Sequence, residues 1–170
     1  MILNSEIELI KAVADDTEVI SELAKEIWWE HYPSIIGKNQ VEYMLKIMYS
    51  LDVIRNHIDR GPQQFFLIRD SNIHVGFIAV EIKENECFIQ KFYLRNSSRG
   101  NGLAAKCFEL LKLVYPQQNI LRLQVNRENI RAINFYFKLG FIIEKSANFD
   151  IGNGFFMNDF VMVYHKNKNK

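Results

Sequence analysis

Few features push this chain toward a specialised class. It has two cysteines and three prolines in 170 residues, and its formal net charge is +1. No apolar run nears the roughly 20 residues that cross a bilayer. A near-neutral chain offers no basic stripe for nucleic acid, and the basic, polar tail at 165–170 reads as a frayed, solubilising terminus. Residues 1–6 lack the charged and apolar regions of a signal peptide, so the expected setting is cytoplasmic, with no membrane partner. Cys87 falls in a strand-like run and Cys107 on an apolar helical face, with none of the four histidines near either in sequence. Both read as buried small side chains in a reducing compartment, not as nucleophiles or bridge partners. No metal site is expected. Repeats, linkers and low-complexity segments are also lacking. With 48% hydrophobic residues, one domain over 1–170 is expected.

What the chain does have is concentrated at 87–111. A β-branched and aromatic run at 88–94 breaks at a Ser/Asn/Gly turn. The chain then restarts as a helix in which Leu103, Ala104, Cys107, Phe108, Leu111 and Val114 recur at helical spacing. Gly100 and Gly102 sit at the junction, where a backbone without Cβ atoms can approach a ligand. The first helical N–H groups have no carbonyl partners of their own, so the turn can cradle an anion. No Lys-Ser or Lys-Thr pair follows Gly102, which excludes a nucleotide P-loop. The following strand at 121–125 ends without a carboxylate, which disfavours a dinucleotide fold.

The flanking pattern alternates strands and amphipathic helices. Residues 6–13 read as a strand. Asp15 and Glu18 resemble a capping box for a helix to about His31, which Pro33 ends or follows. A second helix is expected over 40–59, with Val41, Met44, Leu45, Met48, Leu51 and Ile58 inward and Gly61-Pro62 as its stop. Strands at 64–69, 74–83 and 86–94, joined by very short turns, predict an antiparallel meander. The helix from Gly102 to about Tyr115 then returns the chain to a strand at 120–126 lying parallel to 86–94. Asn126 or Asn129 caps a last helix that Gly140 closes, and strands at 141–145 and 155–165 flank a loop at 148–154.

Two blocks occur in one order: Phe92-Tyr93-Leu94 leading to Arg99-Gly100-Asn101-Gly102-Leu103-Ala104, then Asn129-Ile-Arg-Ala-Ile-Asn-Phe-Tyr136 running on to Gly140-Phe141. Together they resemble the GNAT family of acyl-CoA-dependent N-acetyltransferases. The resemblance covers the central third of the chain, with Ser97 where the family's turn usually has Arg or Gln. It implies an α+β fold: a mixed, mostly antiparallel twisted sheet flanked by helices, one parallel strand pair splaying at the CoA site. It also implies acetyl-CoA as co-substrate and transfer to a primary amine by direct attack in a ternary complex. The pantetheine arm would pair with Phe92, Tyr93 and Leu94, and the pyrophosphate with the amides of Arg99, Gly100, Asn101, Gly102, Leu103 and Ala104. Arg99 is either a charge contact there or a solvated cation. Asn129 would contact the pantetheine, cap its helix, or both. Tyr136 would be the general acid for the CoA thiolate, its alternative being a packed core tyrosine.

The base and the acceptor are less constrained. Gln90 stands where many members of the family place a glutamate, and an amide cannot take a proton at neutral pH, which leaves Glu81, Glu86, Glu30 and His31. Trp28, His31 and Tyr32, at the end of the first helix, are candidates for the acceptor pocket or for packing on the sheet. Aromatics with Glu26, Glu30, Glu42 and Asp52 suit a small amine or polyamine. A peptide N-terminus is the alternative acceptor, a non-catalytic acyl-CoA-binding module the alternative of another class. A homodimer is compatible with the resemblance.

Overall fold

The computed structural model describes residues 7–166. Residue 6 of the first expected strand and the last four residues of the basic tail lie outside that range. The strands are Ile7–Lys11 (β1), Gln63–Asp70 (β2), Ile73–Lys83 (β3), Glu86–Leu94 (β4), Ile120–Asn126 (β5), Ile142–Gly152 (β6) and Phe155–His165 (β7). They form one sheet in the order β1-β2-β3-β4-β5-β7-β6. Every neighbouring pair is antiparallel except β4 and β5. The helices are Thr17–His31 (α1), Pro33–Ile36 (α2), Lys38–Tyr49 (α3), Leu51–Arg60 (α4), Leu103–Val114 (α5) and Ile130–Leu139 (α6). None is long and apolar enough to cross a membrane.

Helices cover both faces of the central strands, which is why β2 buries four consecutive residues, Phe65 to Ile68, instead of alternating. Phe66 and Ile68 pack with Cys107, Phe108, Leu111 and Ile133 of α5 and α6. Phe65 and Leu67 pack with Ile20, Ile27, Val41 and Ile54 of α1, α3 and α4. Cys87 and Cys107 are fully buried in the first cluster, and burial pushes both thiols up to about 12, as expected of packing side chains.

Three local expectations need correction. The helix expected over 40–59 breaks at Ser50, whose extended backbone (ψ 153°) separates α3 from α4. The Tyr49 carbonyl, released from the helix ladder, accepts the buried Ser21 hydroxyl at 2.9 Å, a tertiary contact no local pattern announces. With the break, Leu51 is 47% exposed, while Ile54 and Tyr49 turn inward. The expected Asp15 and Glu18 capping box does not form: a 3-10 turn over Ala14–Asp16 leads into α1, closed by the Asp16 carboxylate accepting the Val13 N–H at 2.8 Å, and α1 itself has no side-chain cap. Pro33 follows the end of α1, as expected, and opens the short helix α2. The loop expected over 148–154 is mostly strand: β6 runs to Gly152 and turns through Asn153 and Gly154, both at positive φ. Asn-Gly between strands is a strong tight-hairpin signal that the loop assignment overlooked.

Candidate active site

Parallel pairing of β4 with β5 stops at Ile89 and Leu123, although β4 continues to Leu94 and β5 to Asn126. The two strands therefore part, and a continuous cavity of about 880 Å³ occupies the opening. Within β4, Val80 pairs with Ile89 and Ala79 with Lys91, so Gln90 is an extra, bulged residue. The bulge resets the alternation. Ile89 and Phe92 pack on the α5 side, while Lys91 lies over the Tyr49 and Phe65 rings and Tyr93 packs toward α1 and α3.

The turn after β4 has the geometry that its glycines predict. Gly100 and Gly102 adopt φ of 91° and 80°, and a Cβ built on either would meet nothing within 4 Å, so the cradle is open. Two of its amides are already used: Arg99 N–H goes to the Asn96 carbonyl and Leu103 N–H to Asn101 Oδ1. Those of Gly100, Asn101, Gly102 and Ala104 have no acceptor among the described residues, and α5 adds its positive dipole end. Leu103 is buried in the core, whereas Gly100, Gly102 and Ala104 line the cavity. Arg99 also lines it: its Nε donates to the Leu94 carbonyl at 2.9 Å, and its half-buried head repels the nearby Arg131 guanidinium. It is thus no freely solvated cation.

From α6, Asn129 and Tyr136 enter the same cavity. Asn129 Oδ1 accepts the Ala132 N–H at 3.2 Å, so it does cap the helix, and its carboxamide also reaches His31 and Tyr32. Tyr136 is nearly buried against Phe135 and Phe141, and desolvation raises its phenol well above the usual range. Trp28, His31 and Tyr32 form the α1 wall, with the Trp28 and Tyr32 rings 4.4 Å apart and Trp28 5.9 Å from Tyr93. The adjacent Trp29 is 44% exposed, so the tandem tryptophans divide between cavity and solvent.

A strand pair that splays beside a glycine turn opening a helix, with a second helix delivering Asn and Tyr across the gap, is the arrangement that the resemblance implied. The sequence profile described as an acetyltransferase (GNAT) domain matches residues 34–156. The chain belongs to the GNAT acetyltransferase family. It is an acyl-CoA-dependent N-acetyltransferase that uses acetyl-CoA as co-substrate and an amine as acceptor. The spermidine N(1)-acetyltransferase of Thermoplasma acidophilum is 26% identical over 151 residues, 85% of this chain and 93% of that protein. The crystal structure of the PaiA N-acetyltransferase from the same organism, in complex with coenzyme A, superposes with a TM-score of 0.78 at 25% identity, covering 94% and 99% of the two chains. A GCN5-related N-acetyltransferase structure from Rhodopseudomonas palustris gives the same TM-score at 15% identity, covering 97% and 99%. This second likeness concerns the fold.

Two of the charged residues in the wall of the acetyltransferase cavity are buried, and the sequence alone did not single them out. Asp159, on β7 opposite Asn126, is 6% exposed and is the only carboxylate in the wall among the described residues. Its side chain makes no hydrogen bond or ion pair with the described residues, and burial pushes its pKa up to about 6 against the weaker pull of Arg127. Lys91, buried beside the bulge, donates to Gln63 Oε1 at 2.9 Å, and burial lowers its pKa to about 8. The signal for Asp159 was a lone charge at an inward position of an apolar strand. For Lys91 strict alternation misleads, because it would place the residue on the same face as Ile89.

The bases considered from sequence are mostly elsewhere. Gln90 lines the cavity and donates from Nε2 to Glu81 Oε2 at 3.0 Å, while Glu81 itself lies outside the wall. Glu86 is paired with Arg122, and Glu30 is exposed. His31 does line the cavity, but burial and then Arg99 lower its pKa, so it resists taking a proton. Glu26, Glu30, Glu42 and Asp52, expected to hold a polyamine, are all exposed and outside the wall, with Glu26 held by Arg95 at 3.0 Å.

Proposed function

We propose that this acetyltransferase acetylates the primary amine of a small molecule by direct attack within one ternary complex, with Asp159 as the base and Tyr136 as the donor to the CoA thiolate. The observation that carries this reading is the presence of both groups in one continuous cavity at the splay. A carboxylate attracts the incoming ammonium and then accepts its proton. Asp159, tuned upward by burial, is a better acceptor than an ordinary surface aspartate while remaining mostly ionised at neutral pH. Neutral His31, set beside Arg99, lacks the attraction for an ammonium that a carboxylate supplies. The Trp28, Tyr32 and Tyr93 rings give a methylene chain and its cation an aromatic wall.

Nitrogen attack on the thioester carbonyl then forms the C–N bond, and collapse of the tetrahedral oxyanion breaks the C–S bond. The phenol of Tyr136 keeps its proton throughout the neutral range and meets the departing thiolate as a hydrogen-bond donor. For the co-substrate, the edge of Phe92, Tyr93 and Leu94 would receive the pantetheine arm. Asn129 and the amides of Gly100, Asn101, Gly102 and Ala104 would complete the cradle, with Arg99 adding charge.

Similarity to a spermidine N(1)-acetyltransferase supports a small amine over a protein N-terminus. Release of free thiol from acetyl-CoA, followed with spermidine, putrescine, simple monoamines and an alanine-started peptide, tests the reading. Turnover with small amines and not with the peptide is expected; turnover with the peptide alone would reject it. Binding of acetyl-CoA without turnover of any amine would point to the non-catalytic module.

A further inference from the structure

A second polar feature lies in the part of the cavity formed by β2, β4, α3 and α4, across β5 from Asp159. Lys91 is 7% exposed, and its one hydrogen bond among the described residues goes to the neutral carboxamide of Gln63. Its ammonium sits 5.5 Å from the Tyr49 ring centroid and 5.6 Å from that of Phe65. An ammonium has three N–H donors, so two remain unspent. The charged and titratable groups around it do not neutralise it. Glu81 is bonded to Gln90 and lies 3.6 Å from Lys83, and burial is the one influence that moves Lys91, with no carboxylate opposing it. His57 of α4 lines the same region and is held toward its neutral form by burial and by Lys91. Trp28 packs on Tyr49 at 5.3 Å between ring centroids. This part of the wall therefore holds spare donors and one uncompensated positive charge, an expensive arrangement in an empty interior.

We infer that Lys91 is the recognition residue for a carboxylate carried by the acceptor, so that the substrate class is an ω-amino acid whose amine is presented to Asp159 and whose carboxylate is bound by Lys91. One cation matched to one anion favours a carboxylate over a phosphate dianion, since His57 adds no second charge. The span favours an ω-amine over an α-amine. Lys91 and Asp159 stand on strands two apart in the sheet, about 10 Å or more between backbones, so a linker of several carbons fits between their side chains. The same charge disfavours an acceptor whose far end is a second ammonium.

The inference rests on the small-amine reading above, and a matched series separates the two. γ-Aminobutyrate, n-butylamine and putrescine share a four-carbon chain and end in a negative, neutral or positive group. Measured as kcat/KM with saturating acetyl-CoA, γ-aminobutyrate should exceed n-butylamine by about tenfold or more, the scale of a charge-assisted hydrogen bond, with putrescine lowest. Lys91→Met should remove the preference, and Lys91→Glu should move putrescine to the top. Unchanged acetyl-CoA affinity in both variants would show that the fold and cofactor site persist. A wild-type order that ignores tail charge, spermidine outperforming γ-aminobutyrate, or a Lys91→Met variant that keeps the wild-type ratio would each overturn the carboxylate site while leaving small-amine acetylation standing. Failure of every amine, spermidine included, in a protein that binds acetyl-CoA would instead overturn the underlying reading.

Discussion

At the scale of single residues, Tyr136 and Asp159 make distinguishable demands. Tyr136→Phe removes the hydroxyl proposed as donor to the thiolate but keeps the ring that packs on Phe135 and Phe141. Steady-state assays should show kcat reduced by roughly 10²-fold, with acetyl-CoA affinity nearly unchanged. Equal turnover would assign the ring to packing. Asp159→Asn should lower turnover on a similar scale and at the same time raise stability at neutral pH. A carboxyl whose pKa rises from 3.8 to about 6 on folding opposes folding once ionised. The cost is absent below the unfolded value, grows between the two and is complete above about 6; it corresponds to roughly 3 kcal/mol at most. Denaturant melts at pH 7.5 and pH 4 should show the variant's advantage at the higher pH. The wild-type kcat/KM should rise with pH through about 6 as the base ionises, and the variant should lack that limb. A destabilised Asp159→Asn variant would mean that Asp159 has a structural partner.

At the scale of elements, the cofactor cleft depends on two glycines for different reasons. Gly102 precedes α5 at φ 80° with open space where a Cβ would project. Gly102→Val therefore brings both backbone strain and a branched group into the cradle. Calorimetric titration should show acetyl-CoA binding lost, and binding at wild-type strength would place the phosphates elsewhere. Gly76 on β3 has an ordinary φ, but a Cβ there would stand 2.1 Å from the Tyr93 carbonyl, a backbone atom. Gly76→Ala must push β3 and β4 apart beside the edge proposed for pantetheine. It should cost about 1–3 kcal/mol of stability and weaken acetyl-CoA binding, both readable from urea melts with and without ligand. The break between α3 and α4 matters similarly, because it brings Tyr49, Val53 and His57 together in the acceptor wall.

At the scale of the whole molecule, the cavity is bounded by β2, β4, β5, β7 and all of the helices α1 to α6. A ligand bound there should stabilise the fold as one piece. Acetyl-CoA at a hundredfold excess over its Kd should add about 2.7 kcal/mol, which for this length is a rise in Tm of about 5–10 °C. No shift at millimolar acetyl-CoA would contradict the cradle. The two helical layers share β2 and β3 as common walls, so calorimetry should give one transition with matching calorimetric and van't Hoff enthalpies. Two resolved transitions would divide the chain into separate domains.

The legible parts of this protein were those governed by local rules. The meander, the parallel return through α5, the glycine turn and the Asn129 cap follow from periodicity, turn chemistry and orphan helical amides acting within a few residues. The family motif placed Tyr136 and the turn in one site because its order along the chain already encodes their meeting across the splay. Less was legible where a distant contact or a shift of register decided the outcome. Ser50 breaks a continuous helical pattern where the Tyr49 carbonyl is taken by Ser21, 28 residues earlier. The bulge at Gln90 moves Lys91 to the acceptor face, reversing what alternation predicts. Asp159 acquires its raised pKa from burial beneath helices far away in sequence. Glu26, Glu30, Glu42 and Asp52 were placed near the acceptor by helix membership alone, yet the packing of α1, α3 and α4 turned them to solvent. The sequence by itself determined most of the elements, the family and the glycine turn, since each rests on interactions of short range. Only the tertiary structure decided which charges line the cavity, because burial and bulged register are properties of strands and helices already assembled.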